Sequence, residues 1–167
     1  MKKYHLDPSC INLEITESAS IKTRKNLLEN MQVLIDYGVK FSLDDFGNGE
    51  SNLNYIVDMP VSIVKFDRDM SQAYFANQKA KFVMEASMHM IHEMQLEIVS
   101  EGVETKEQME AISALGIDYI QGYYFSRPIP EAEFLEFIKK GNRDASAVPE
   151  TAAEVQSLQQ SPESIPR

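Results

Sequence analysis

The sequence predicts an α/β protein, with about five parallel strands alternating with helices that flank the sheet. Three observations carry this. Amphipathic helical stripes recur along the chain. Short apolar runs separate them. Each apolar run ends in acidic or other chemistry-bearing residues, as strand carboxyl ends do when they gather on one face.

The first strand is read at INLEIT, 11–16. Residues 22–37, KTRKNLLENMQVLIDY, set Leu27, Leu28, Met31, Leu34 and Ile35 on one helical stripe. Gly38 follows as a C-cap, and VKFSL, 39–43, is the second strand. A short helix near 51–57 leads into VSIVKFD, 61–67. One long helix over roughly 70–94 leads into LEIVSEG, 96–102. Residues 105–115, TKEQMEAISAL, repeat the first grammar. Thr105 and Gln108 have capping-box spacing. Met109, Ile112 and Leu115 make the stripe, and Gly116 closes it. IDYIQGYYF, 117–125, is the fifth strand candidate, and a last helix is expected at about 131–139. The structured domain is therefore read as 1–140. From Gly141 the composition turns to Ser, Pro, Ala, Gln and Glu, so 141–167 reads as a disordered or marginally helical tail.

A chain of 167 residues suits one domain with a buried core. Its 43% hydrophobic and 25% charged residues are those of a globular protein. The net charge of −10 argues against a nucleic-acid duplex or an anionic membrane as partner. A small anionic ligand fits only if metal ions bridge it to the carboxylates. No apolar run is long enough to span a bilayer. The start, MKKYHLDPSC, lacks the apolar stretch of a signal peptide. The single cysteine, Cys10, cannot form an internal disulfide, so a reducing cytoplasm is expected. Cys10 itself reads as apolar filler.

The candidate site residues are those at strand ends. They are Glu14 and Glu17, then Asp44 and Asp45, then Lys65 and Asp67, then Glu101 and Glu104, then Gln121. Carboxylates gathered in one place repel each other. A divalent cation relieves that repulsion, and oxygen-only ligation suits Mg²⁺ or Mn²⁺. In a regular strand, Asp44 and Asp45 would face opposite sides. Both reach one site only if the strand bulges, and Gly47 and Gly49 supply loose backbone just beyond. A pair of ions about 3.5–4 Å apart would suit such a donor set, and sites of that kind hydrolyse phosphate esters. In the plainer alternative, Asp45 caps the following turn and only Asp44 faces inward. Lys65, inside SIVKFD, is costly to bury unpaired, so pairing with the carboxylates is expected.

Other residues have plainer readings. His89 and His92 are packing or surface residues of a helix. Met84, Met88 and Met94 read as core filler. Glu107 and Glu110 belong to a solvated helix face. Tyr123, Tyr124 and Phe125 divide between core and a ligand pocket.

LEITES, SLDDFGNGES, VKFD, VSEGVET and QGYYFSRPIP stand in that order within residues 6–140. Together they resemble the later motifs of EAL domains, bacterial phosphodiesterases that act on cyclic di-GMP. The resemblance implies a TIM-like (β/α) barrel and metal-dependent hydrolysis to the linear dinucleotide. It implies Glu14, Asp44, Asp45 and Glu101 as ligands of Mg²⁺ or Mn²⁺. Lys65 and Glu101 would be catalytic, Lys65 by positioning the attacking water. Asp67, Gln121, Arg127 and Pro128 would face the substrate, and Glu17 and Glu104 would support loops. The E-A-L motif and a further Asn of the family's first half do not occur in these residues. Asn48 stands where the family usually has Thr, and Glu50 where it often has Tyr.

The expected architecture is thus a partial TIM-like barrel with about five of the eight strands. Its open edges and uncovered inner face favour self-association or a barrel-completing partner. The expected function is that of an EAL-family cyclic di-GMP phosphodiesterase domain, incomplete as this chain alone. The alternatives are a non-catalytic cyclic di-GMP-binding or protein-interaction module and, leaving the family aside, a Mg²⁺-dependent phosphohydrolase of another substrate.

Overall fold

A computed structural model describes residues 2–16, 24–48 and 53–141. Five strands form one sheet: β1 (Asn12–Thr16), β2 (Lys40–Phe46), β3 (Ile63–Phe66), β4 (Glu97–Ser100) and β5 (Tyr119–Ile120). Their spatial order is their chain order. Every neighbouring pair is parallel, so all the carboxyl ends lie along one side of the sheet. The helices between them are α1 (Arg24–Asp36), α2 (Leu53–Asp58), α3 (Arg68–Ala76), α4 (Gln78–Glu93) and α5 (Lys106–Ala114), and α6 (Glu131–Gly141) follows β5. The expected α/β sheet with flanking helices is the fold found.

The core lies between sheet and helices. Leu43, Val64, Phe66 and Ile98 of the strands are fully buried. Met31, Met84, Ile91 and Ile112 of the helices belong to the same cluster. The capping box at the start of α5 forms, with the Gln108 N–H on Thr105 Oγ1 and the Thr105 N–H on Gln108 Oε1, both at 3.2 Å. Gly38 and Gly116 follow α1 and α5 at φ 103° and 83°, the left-handed turn that glycine permits.

Three expectations need correction. The single helix over 70–94 is two helices. Asn77 breaks it with extended backbone, and its side-chain oxygen takes the Lys79 N–H at 2.8 Å to cap α4. Asparagine competes with helical hydrogen bonding in this way and so favours caps. Met94 is not core. It is the C-cap of α4 and 38% exposed, whereas Met84 is buried. Cys10 is exposed rather than filler, because it lies in a single 3-10 turn ahead of β1.

The sheet edges are open among the described residues. β1 pairs only with β2, and β5 only with β4. Leu13 on β1 is half-exposed, as are Phe134, Leu135, Phe137 and Ile138 on α6. Of the expected tail, only Gly141, the last residue of α6, lies within the described residues.

Candidate active site

The paired aspartates stand at a break in strand register. From Leu43 to Phe46, β2 takes three steps where β3 takes two, from Val64 to Phe66. One extra residue in one strand is a β-bulge, and it suspends the alternation of side chains. Asp45 supplies it at φ 58°, a left-handed conformation that Asp tolerates better than most residues. The Asn48 N–H then bonds the Asp45 carbonyl at 3.1 Å and closes the turn. Gly49, Glu50 and Glu17 lie outside the described residues.

Lys65, on β3, is the centre of the site. Its Nζ is 2.8 Å from Glu14 Oε1, at β1. It is 2.9 Å from Asp44 Oδ1, at the β2 bulge. It is 2.8 Å from Glu101 Oε1, just after β4. The lysine side chain is only 9% exposed. An ammonium has three N–H groups, and here each has a carboxylate. Burial works to lower the lysine pKa, but hydrogen bonds to Glu101, Glu14 and Asp44 outweigh it and hold the pKa well above its ordinary value.

The donors suit a hard divalent cation in kind, since all are carboxylate oxygens. Their spacing does not. Among the described residues, no three His, Cys, Asp or Glu groups are placed to hold a metal ion. Glu14, Asp44 and Glu101 instead close on the ammonium.

None of the other described site residues pairs with Lys65. Asp67 caps α3, its carboxylate accepting the Asp69 N–H at 2.9 Å. Glu104 takes Arg68 Nη2 at 2.9 Å. Asp45 has no ion pair with any described residue. Gln121, Arg127 and Pro128 line a groove of about 710 Å³ beside β5, with Tyr123 and Phe134. That volume lies in the range of small-molecule sites. The Arg127 guanidinium lies 4.5 Å from the Tyr123 ring centre, a cation–π contact. Of the aromatic run, Tyr124 is core, while Tyr123 faces the groove.

One glutamine, Gln72, escapes a reading of the sequence, and it acts together with Gln108. Gln72, on α3, donates through Nε2 to the Gly102 carbonyl. Its Oε1 accepts from Gln108 Nε2 at 3.0 Å. Gln108 Oε1 in turn accepts the Glu104 N–H at 2.8 Å. This chain of bonds clamps the loop directly after Glu101. Gln108 is legible as a cap residue, but nothing in the sequence marks Gln72 as its partner.

Five parallel strands and a lysine shared by three carboxylates at their carboxyl ends define an α/β domain with an acidic site of this kind. The EAL domain family matches residues 1–128, and the chain belongs to it. Signaling protein YkoW of Bacillus subtilis is 33% identical over 138 residues, covering 83% of this chain and 17% of YkoW. The cyclic di-GMP phosphodiesterase RocR of Pseudomonas aeruginosa is 34% identical over 137 residues, covering 82% of this chain and 35% of RocR. The chain thus spans about a third or less of these relatives. The crystal structure of the EAL domain of Mycobacterium smegmatis DcpA superposes with a TM-score of 0.78 at 30% identity, covering 84% of this chain and 63% of that one. Klebsiella pneumoniae BlrP1, in a complex with manganese and cyclic di-GMP, superposes with a TM-score of 0.70 at 26% identity, covering 76% of this chain and 32% of that one. Among the described residues, no helix is long and apolar enough to cross a membrane.

Proposed function

We propose that this chain forms the later part of the active face of a metal-dependent cyclic di-GMP phosphodiesterase. The observation that carries the reading is the convergence on Lys65 of Glu14 from β1, Asp44 from the β2 bulge and Glu101 from the loop after β4. The printed activity of RocR and the manganese complex of BlrP1 support it. Glu14, Asp44, Asp45 and Glu101 would hold Mg²⁺ or Mn²⁺, whose charge offsets that of a phosphodiester under attack. Lys65 would orient the attacking water, with Glu101 beside it. Gln121, Arg127 and Pro128 would hold substrate along the β5 groove, where Arg127 offers a guanidinium that suits phosphate. Asp67 would face the substrate from the start of α3. Glu104, tied to Arg68, and Glu17 would support the loops. The chain spans 63% of the DcpA chain it matches, and self-association or a partner polypeptide at the open sheet edges would be compatible with turnover. The lone cysteine supports a cytoplasmic setting.

A second reading has one observation in its favour. All three donors of Lys65 are already taken, so none is left for a water. A chain held in that state would bind cyclic di-GMP or a protein partner without turnover.

Hydrolysis of cyclic di-GMP by the purified chain with Mn²⁺, followed chromatographically, separates the two. Linear dinucleotide that disappears in Asp44→Asn supports the enzyme. Binding of cyclic di-GMP without turnover supports the module. A folded chain that neither binds nor hydrolyses it contradicts the enzyme and the cyclic di-GMP-binding module and leaves the protein-interaction module.

A further inference from the structure

Glu101 and Gly102 are adjacent, and one short segment grips both. The Lys65 ammonium holds the Glu101 carboxylate at 2.8 Å. Gln72 Nε2 donates to the Gly102 carbonyl. Lys65 stands on β3 and Gln72 on α3, with only Asp67 between the two elements. Asp67 caps α3, so the strand and the helix fix the spacing of the two gripping groups.

Gly102 is the point at which Glu101 would otherwise swing. The pairing of β4 with β5 ends at Ser100 and Ile120. Beyond the glycine, Val103 is buried, and its N–H bonds the Gln121 carbonyl at 3.2 Å. Its carbonyl accepts the Tyr124 N–H at 3.1 Å. Between these anchors Gly102 turns at φ 73°, and glycine has the widest backbone freedom of any residue. The glycine is required, because a Cβ there would strike the Arg68 side chain lying over it. Gln72 removes the freedom that the glycine brings. Gln72 is itself braced, since Gln108 Nε2 donates to its Oε1 at 3.0 Å.

We propose that Gln72 is a positioning residue that, through the Gly102 carbonyl, sets the place of Glu101 against Lys65. What Glu101 and Lys65 do to a substrate rests on the enzyme reading above. Their position does not.

The test reads the Lys65 Cε resonance by NMR in the full chain labelled with ¹³C-lysine. It is read at one neutral pH without added metal and assigned by its loss in Lys65→Met. Glu101→Gln should move the resonance and so set the direction of the shift. Gln72→Ala should then move it the same way. So should Gln72→Glu, which keeps the side-chain length but has no N–H for the carbonyl. Asn77→Ala removes the cap of α4, whose side chain bonds Lys79 rather than the loop, and should leave the resonance in place. Folded Gln72 variants with the parent resonance overturn the proposal. An equal shift in Asn77→Ala also overturns it, as a report of lost stability rather than lost position. No shift in Glu101→Gln overturns it too, since the lysine would then not feel that carboxylate. Should Gln72→Ala not fold, Gln72→Glu decides alone. Failure of both to fold overturns the proposal, because a bond that only positions is not needed for the fold. A parent that does not hydrolyse cyclic di-GMP yet gives the expected shifts sinks the enzyme reading and supports the positioning role.

Discussion

Lys65 Nζ on β3 lies 2.8 Å from Glu101 Oε1 in the turn after β4. That contact ties two neighbouring strand ends at the point where the sheet would meet a substrate. Two further carboxylates, from β1 and the β2 bulge, complete the shell. Four separate chain segments thus depend on one ammonium.

The alkaline limit of stability should follow from this. The folded-state pKa of Lys65 stands above its ordinary value of 10.5. Its contribution is therefore complete below the unfolded value and is lost as pH rises through the folded one. Melting temperature should be insensitive to this group from about pH 7 to about pH 9 and decline above about 10.5. In Lys65→Met, the alkaline decline followed by circular dichroism should be shallower. An identical decline in parent and variant would show that the lysine carries no such linkage.

The glutamine clamp makes a second prediction. Gln108→Ala removes the reciprocal bond of a capping box and the hold on Gln72, and should cost about 1–2 kcal/mol in urea unfolding. Gln72→Ala should cost about 1 kcal/mol. Because the two share a bond, the double variant should fall short of the sum by roughly 0.5 kcal/mol or more. Strict additivity would mean that the clamp is not one unit.

Much of this architecture is legible in the sequence because its signals are local. The stripe Leu27, Leu28, Met31, Leu34 and Ile35 marks α1, and Thr105 with Gln108 marks the start of α5. The acidic residues after each apolar run mark the strand ends, because parallel crossovers bring all of those ends to one side. Asp44 and Asp45 with two nearby glycines leave both a bulge and a plain turn open in the sequence, and the register shift shows a bulge there. What escapes is set by contacts distant in sequence or by a single capping residue. Asn77 divides one apparent helix into two without disturbing its apolar pattern. Gln72 meets Gln108 only because α3 and α5 approach each other in space. The carboxylates could be expected near Lys65, but sequence gives no means of foreseeing that three of them would use all its donors.

The open side of the sheet leads to a third prediction. Helix α6 leaves Phe134 and Phe137 half-exposed, and both line the β5 groove. Large exposed apolar surface of this kind marks a contact site or a tendency to associate. The chain should bind a hydrophobic dye and self-associate in light scattering. Phe134→Glu with Phe137→Glu should remove most of the dye signal while leaving the far-ultraviolet spectrum intact. A dye-silent, monomeric parent would contradict the unpartnered face.

The enzyme reading stands on the proposal that Glu14, Asp44 and Glu101 would hold a cation at the strand ends. Its most direct test is a Mn²⁺ titration of Glu14→Gln, Asp44→Asn and Glu101→Gln against the parent. Each variant should bind roughly tenfold or more weakly while remaining folded. Parent-like affinity in all three would show that the acidic mouth around Lys65 is not where the cation binds.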